Sequence, residues 1–275
     1  MARRTLIQLL TSFLYNANLP GFKQGRIWQG SSKAFCVPGL NCYSCPGALG
    51  ACPLGSLQSS LAGTIATLPF YIIGCLLIFA LLLGRLVCGW FCPFGFIQEL
   101  LYKLPTPKIK KNALTARLAK AKYIIAFLFV LILPIGMYLS TGVGAPYFCK
   151  LICPAGTLEA GLPLTLANSE LRSGLGLLFG LKVIILMAII SLSIFIYRPF
   201  CRFICPLGAW YGLFNRLALF GMQIDESKCT NCQACIKICK MDCQKVGDAE
   251  CINCGECAKI CPQNIISFKK PIKRR

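Results

Sequence analysis

The segment Arg85-Leu-Val-Cys88-Gly-Trp-Phe-Cys92-Pro93-Phe-Gly95 returns as Arg198-Pro-Phe-Cys201-Arg-Phe-Ile-Cys205-Pro206-Leu-Gly208, every matched position displaced by 113 residues. Lys103 and Arg216 match at the same displacement. A chain built this way is constrained to form two related halves, each presenting a pair of thiols. Each copy follows an apolar stretch and precedes a short segment of helical character, Phe96–Leu104 or Ala209–Leu219. A lone cysteine in an apolar helix is a small packing residue, the reading given to Cys75. Thiols at fixed spacing, with Pro directly after the second and Gly two residues further on, require more than packing. Pro turns the chain away from the sulphur and withholds a backbone donor. A pair from each half closes a four-thiolate site, so Cys88, Cys92, Cys201 and Cys205 are expected to hold an iron–sulphur cluster.

A second repeat precedes these motifs. Cys52-Pro-Leu-Gly-Ser-Leu-Gln resembles Cys153-Pro-Ala-Gly-Thr-Leu-Glu, and Phe35-Cys36 resembles Phe148-Cys149. The first copy carries twelve more residues between its two thiols, and they include Cys42-Tyr-Ser-Cys45. Six thiols therefore compete for one four-ligand site. Symmetry selects Cys36, Cys52, Cys149 and Cys153 and leaves Cys42 and Cys45 as a C-x-x-C redox dithiol. The alternative set is Cys36, Cys42, Cys45 and Cys52, with Cys149 and Cys153 as the thiol pair. A plain structural disulfide is the simplest competing reading.

Lipid is the expected solvent for much of the chain, since 56% of residues are hydrophobic and only 14% charged. Leu61–Leu83, Tyr123–Leu139 and Leu175–Tyr197 are long enough, or nearly so, to cross a bilayer, and Thr5–Leu19 either spans or lies in the interface. No convincing secretory signal precedes them, so the N-terminus is read as retained. The connection from Gly84 to Lys122 is rich in Lys and Arg, whereas Ser140–Gly174 carries only Lys150 and Arg172. The positive-inside rule then puts the Cys88 and Cys201 motifs and the tail beyond Tyr197 in the cytoplasm. The set from Cys36 to Cys153 lies outside. These are the inner and outer sets. The 29 basic residues flank apolar stretches rather than a soluble recognition surface, so no nucleic-acid partner is expected.

The C-terminal spacing is specific by itself. Cys229, Cys232, Cys235 and Cys239, then Cys251, Cys254, Cys257 and Cys261, each read C-x₂-C-x₂-C-x₃-C, the two-cluster ferredoxin pattern in which the fourth thiol serves the other cluster. One [4Fe–4S] cluster is expected on Cys229, Cys232, Cys235 and Cys261, and a second on Cys251, Cys254, Cys257 and Cys239. Lys240 replaces the usual Pro after Cys239, which leaves Cys243 as an alternative ligand. Zinc is the competing reading of such thiols, but it seldom uses an interlocked double set. Met222–Ile224 and Ile265–Phe268 are expected to form the two closing strands. The tail from Lys269 to Arg275 reads as solvated or as a contact with lipid headgroups.

Twenty cysteines with no histidine exclude histidine-ligated haem, a Rieske centre and a histidine general base. Glu99 and Glu159, among the few acidic residues before Asp225, follow an inner and an outer motif and are candidate proton relays or interfacial carboxylates.

The twin Cys-x₃-Cys-Pro motifs followed by the double ferredoxin run resemble the membrane 4Fe–4S polyferredoxins typified by NapH and NosR, over roughly Leu61 to Pro262. The resemblance implies a mainly α, polytopic membrane part with three or four transmembrane helices over 1–219 and an α+β ferredoxin-like part over 220–275. It implies [4Fe–4S] clusters in an electron-transfer protein, two in the ferredoxin part, with two more expected in the membrane part. The expected function carries electrons from a cytoplasmic ferredoxin- or flavodoxin-like donor to an external redox acceptor protein or to the Cys42/Cys45 thiols, with lipid around the spans. Quinol oxidation and service as a maturation or scaffold factor for an external metalloenzyme are the alternatives. The chain departs from NosR in having no external flavin-binding domain and in carrying the outer thiol set.

Overall fold

The computed structural model of the protein describes residues 2–62 and 69–269. Part of the Leu61–Leu83 stretch, and the basic tail beyond residue 269, lie outside the described residues.

The chain is mainly helical. Helix α1 (Ala2–Tyr15) is followed by α2 (Leu19–Gln24), α3 (Pro53–Leu61), α4 (Phe70–Leu82), α5 (Leu86–Trp90), α6 (Pro93–Leu101) and the long α7 (Ala113–Thr141). Next come α8 (Phe148–Ile152), α9 (154–167), α10 (Ser169–Ser173), α11 (Leu177–Phe195), α12 (Pro199–Phe203) and α13 (Pro206–Phe214). The C-terminal part adds β1 (Met222–Ile224), α14 (Ala234–Ile238), α15 (Glu256–Ile260) and β2 (Ile266–Phe268).

Sequence repetition becomes structural repetition. Helices α5 and α6 and helices α12 and α13 begin and end at residues related by the same displacement of 113. The arginine that opens each copy is fully buried and reaches across to the other: Arg85 donates to the Cys201 carbonyl at 3.3 Å, and Arg198 donates to the Cys88 carbonyl. Phe94 and Phe200 pack edge to face between the halves, with ring centroids 5.2 Å apart. The two halves thus share one core, with a pseudo-twofold axis through it.

Two helices, α7 with 29 residues and α11 with 19, are long and apolar enough to cross a membrane; α4 is apolar but shorter. Their large side chains face outward rather than into the core: Ile124, Phe127 and Leu139 on α7, Leu177 and Ile184 on α11, all exposed. Helix α1 is shorter and packs on α5 and α6, burying Arg4 and Gln8 while Leu9, Leu10, Phe13 and Leu14 stay exposed. A capping box starts α7: Asn112 Oδ1 accepts from Thr115 N at 2.8 Å, and Asn112 N donates to Thr115 Oγ1 at 3.0 Å. Over Ala126–Ile132 the helix widens to the π form, just before Pro134. In that register the Phe129 carbonyl faces Pro134, which has no N–H, and Gln58 Nε2 supplies the missing donor at 2.8 Å.

Strands β1 and β2 pair antiparallel, Met222 opposite Phe268 and Ile224 opposite Ile266. This small module is fastened to the helical part by buried charges. Glu250 receives Arg85 and Lys122, and Asp242 receives Arg202 Nε at 2.8 Å and Thr115 Oγ1 at 2.8 Å. Lys240, where ferredoxin runs usually carry Pro, sits over the Tyr102 and Tyr197 rings at 5.4 and 5.5 Å. Its departure from the motif is an anchoring contact.

Candidate iron–sulphur centres

The Cys-Pro-x-Gly motif has a local explanation. The cysteine is extended, the following Pro opens a helix, and the sulphur turns back to accept the N–H of the glycine three residues on. Gly95 N donates to Cys92 Sγ at 3.4 Å, Gly208 N to Cys205 Sγ at 3.4 Å, and Gly156 N to Cys153 Sγ at 3.5 Å. Cys52 takes the same extended place before Pro53 at the start of α3. A sulphur held as an N-cap sits at the positive end of its helix, where a thiolate is stabilised.

The structure brings the inner set together. Cys88, Cys92, Cys201 and Cys205 are all buried, and Gln98 Nε2 donates to Cys201 Sγ at 3.2 Å. Burial pushes the Cys92 and Cys205 thiols up, and the neighbouring thiols of the set push them further. Four crowded, buried thiols disfavour their own ionisation. A cationic iron–sulphur core held by these thiols would supply the charge that reverses this, and the N–H donors aimed at the sulphurs suit thiolates.

In the outer region a cavity of about 370 Å³ is lined by Cys42, Cys52, Cys149 and Cys153. Lys182 lines it too and donates to the Cys149 carbonyl at 3.3 Å, which gives the lysine inside apolar α11 a role that the sequence alone did not reveal. Gln58 accepts the Cys149 N–H at 3.2 Å while donating to α7, so it ties the two elements together. Cys36 is not among the lining residues but lies beside Cys75 and Cys52, and burial with these neighbours pushes its thiol up to about 12. Cys45 is buried against Asn16, its Sγ 3.4 Å from Asn16 Oδ1, and burial pushes it up to about 11. Cys42 and Cys45 share a turn, Cys45 N donating to the Cys42 carbonyl at 3.0 Å, but only Cys42 lines the cavity. Cys42 thus lines this cavity with three thiols of the symmetric set, and Cys36, the fourth of that set, stands beside Cys52. The extra residues of the first copy form an inward fold, and it is Cys42 on that fold that reaches Cys153. Glu159 is buried in the same region, accepting the Cys42 N–H at 2.6 Å, and burial raises its carboxyl to about 8.

The outer fold also meets the inner motif. A Cβ at Gly39 would lie 2.8 Å from the Phe91 carbonyl oxygen and 3.1 Å from Cys92 Cα, so the residue must be glycine for the segments to touch. Buried Tyr211 donates to the Pro38 carbonyl at 2.8 Å.

In the C-terminal module, Cys229, Cys232, Cys235 and Cys261 line one recess, and Cys251, Cys254, Cys257, Cys239 and Cys243 line another. The two runs share a backbone: Asn231 and Asn253 are left-handed at φ 51° and 53°, as are Gln233 and Gly255 at φ 56° and 79°. Cys239 closes α14 as Cys261 closes α15, both extended. Cys243 is buried and hydrogen-bonded to both Cys239 and Cys251, and this bond, the largest influence, draws the Cys239 thiol down to about 7. Among the described residues no three Cys, Asp or Glu side chains converge on a single metal-ion position. In the outer region and in the C-terminal module the thiols instead line cavities.

Comparison with known proteins agrees with this chemistry. A 4Fe-4S binding domain matches residues 65–112, 123–162 and 178–223, covering both inner motifs and Cys149 and Cys153. A second 4Fe-4S binding domain matches residues 246–267, the last thiol run. An uncharacterised protein of Methanocaldococcus jannaschii is 30% identical over 168 residues, 60% of this chain and 63% of its own length. The methylamine utilization ferredoxin-type protein MauN of Methylorubrum extorquens is 27% identical over 206 residues, 70% of this chain and 62% of its own. The regulatory protein NosR of Stutzerimonas stutzeri is 27% identical over 167 residues, 58% of this chain and 21% of its own. The chain spans less than two thirds of each of these relatives. No solved structure matches it.

Proposed function

Because the chain belongs to the ferredoxin-type 4Fe–4S proteins of electron transport, we propose that it forms a relay across a membrane, with four [4Fe–4S] sites in series. Two sites lie in the ferredoxin module of residues 220–275, on Cys229, Cys232, Cys235 and Cys261, and on Cys251, Cys254, Cys257 and Cys239. The inner site uses Cys88, Cys92, Cys201 and Cys205. The outer site uses Cys42, Cys52, Cys149 and Cys153. When bound, such clusters accept and release one electron each, and the chain's own residues set where those electrons can go.

The observation that carries this reading is the contact between the outer fold and the inner motif. Gly39 rests on Cys92 and Tyr211 reaches Pro38, so the outer and inner thiols belong to one packed body. The apolar outward faces of α7 and α11 support a lipid setting for this body. The exposure of Cys232 supports the ferredoxin end as the face that a soluble, cytoplasmic ferredoxin- or flavodoxin-like donor would meet. An external redox protein is the proposed acceptor. Lys182 places one positive charge beside the outer thiols, which favours the more negative, reduced state there. Cys243, in the same recess as Cys239 and Cys251, is a neighbour of their site rather than one of its ligands.

Anaerobic purification with iron counting tests the relay. About 16 iron atoms per chain are expected for four [4Fe–4S] sites, and about eight would reduce the chain to a ferredoxin module on an apolar support. Cys42→Ser should remove one cluster's iron and EPR signal, while Cys36→Ser retains both. The reverse result would return the outer site to the symmetric set of Cys36, Cys52, Cys149 and Cys153.

A further inference from the structure

Gly89 lies between Cys88 and Trp90 in the inner motif, and Ile252 lies between Cys251 and Asn253 in the last thiol run. A Cβ at position 89 would stand 2.1 Å from the Ile252 carbonyl oxygen, so the two backbones meet here only because residue 89 has no side chain. The contact is fastened from several directions. Trp90 Nε1 donates to the Asn253 carbonyl at 2.9 Å, and its ring meets Phe268 edge to face at 6.1 Å. Gln8 Nε2, buried, donates to the Gly89 carbonyl at 2.8 Å. Asn215 Nδ2 donates to the Cys251 carbonyl at 3.0 Å.

The second repeat treats the equivalent place differently. Position 202, displaced by 113 from Gly89, is a buried arginine that pairs with Asp242, near Cys239 and Cys243. One half of the inner motif thus grips the Cys251 side of a single ferredoxin site, and the other half grips its Cys239 side. The recess of Cys229, Cys232, Cys235 and Cys261 is framed by module residues, Ile224 and Ile266 among them.

We infer that the site of Cys251, Cys254, Cys257 and Cys239 is the one that exchanges electrons with the inner site, across the Cys88-Gly89 to Ile252-Cys251 backbone contact, with Gly89 as its positioning residue. This rests on the four-site relay proposed above. One electron leaves the ferredoxin site, oxidising it by one, and one enters the inner site, reducing it by one; no bond forms or breaks. The remaining ferredoxin site then stands at the donor end. A fixed junction also means that the module does not swing to deliver its electron.

Partial anaerobic reduction of the wild-type protein, read by EPR, tests the junction without a mutation. Magnetic interaction is expected between the inner signal and one ferredoxin signal. It should persist in Cys232→Ser and vanish in Cys254→Ser. Gly89→Ala, and Trp90→Phe as the milder change, should keep the iron content while slowing reduction of the inner site by roughly tenfold or more, since small displacements at a reacting contact are costly. Interaction that vanishes in Cys232→Ser but persists in Cys254→Ser would overturn the assignment, as would iron-replete variants that reduce the inner site at the wild-type rate. An iron count near eight overturns the relay itself; a count near 16 with magnetically isolated inner and ferredoxin signals overturns only the junction.

Discussion

The crossed arginines show how single residues hold the inner site in register. Arg85 and Arg198 are fully buried, each spans the pseudo-twofold axis to a ligand carbonyl, and each ends on a carboxylate, Glu250 at 2.6 Å and Glu99 at 2.6 Å. Glu99 also receives Arg4 from α1. Burial alone would raise the Glu99 carboxyl, but Arg198 and Arg4 outweigh it and hold the carboxyl below its ordinary value. A depressed carboxylate contributes stability that is fully present above its ordinary pKa of about 4.3 and is lost as pH falls through the lowered native value. Glu99→Gln leaves two buried cations short of a counter-charge and should cost about 3–5 kcal/mol at neutral pH. Denaturant unfolding across an acid series checks it: the wild type should lose this advantage on acidification, and the difference between the two proteins should narrow. At the outer cavity, Lys182→Met removes the charge that favours the reduced site. Its midpoint potential should fall, with the other potentials unchanged, in a redox titration followed by EPR. The sequence disclosed the arginines only as matched letters of a repeat, and Lys182 only as an interruption in an apolar stretch. Their roles depend on partners more than thirty residues away, and no local pattern encodes those.

Among the elements, the sites rest on helix starts and one irregular helix. The sequence predicts helical segments over Phe96–Leu104 and Ala209–Leu219; α6 and α13 begin three residues earlier, at the Pro of the Cys-Pro-x-Gly string, where α3 and α9 begin as well. The strands expected at Met222–Ile224 and Ile265–Phe268 are present as β1 and β2. Leu175–Tyr197 corresponds to α11 and Tyr123–Leu139 falls inside α7, since hydropathy follows the side chains that stay unburied. The π-helical turn of α7 was not legible, because it depends on Gln58 reaching from α3 to the Phe129 carbonyl that Pro134 leaves without a donor. The same Gln58 accepts the Cys149 N–H at 3.2 Å. Gln58→Ala would strand both backbone groups in a buried place, at about 1–3 kcal/mol for each. The outer site should therefore lose iron first on mild chelation while the inner and ferredoxin sites stay loaded, and site-resolved EPR during the chelator titration reads this order. The place of Cys42 at the outer cavity has the same origin. Matching the repeats aligned Cys36 with Cys149, but the segment with twelve more residues folds back and adds the Cys42 sulphur to the lining.

At the scale of the whole molecule, one apolar helix links the two levels of thiols. Lys182 sits at the outer cavity, and Tyr197, just past the other end of α11, adjoins the inner motif; fifteen residues of helix rise by ~22 Å. At the inner end, Ile109 N donates to the Phe195 carbonyl at 3.0 Å, so the basic connection before α7 lies at the level of the inner motif and the ferredoxin module. Exposed Ile184, Leu181 and Met187 on α11 and Ile124, Phe127 and Leu131 on α7 form the band between the levels, and no element among the described residues covers them. Exposed apolar surface of this extent is unstable in water and stable in hydrocarbon. If lipid covers that band, Lys110 and Ser173, both exposed and at opposite ends of it, must lie on opposite sides. The positive-inside rule assigns Lys110 to the cytoplasm. In sealed cells, a membrane-impermeant maleimide should add label to Ser173→Cys and none to Lys110→Cys, relative to the wild-type chain, and in inverted vesicles the pattern should reverse. Equal labelling of both from one side would mean that α7 and α11 lie along the membrane instead of crossing it. The four sites would then serve a relay confined to one face.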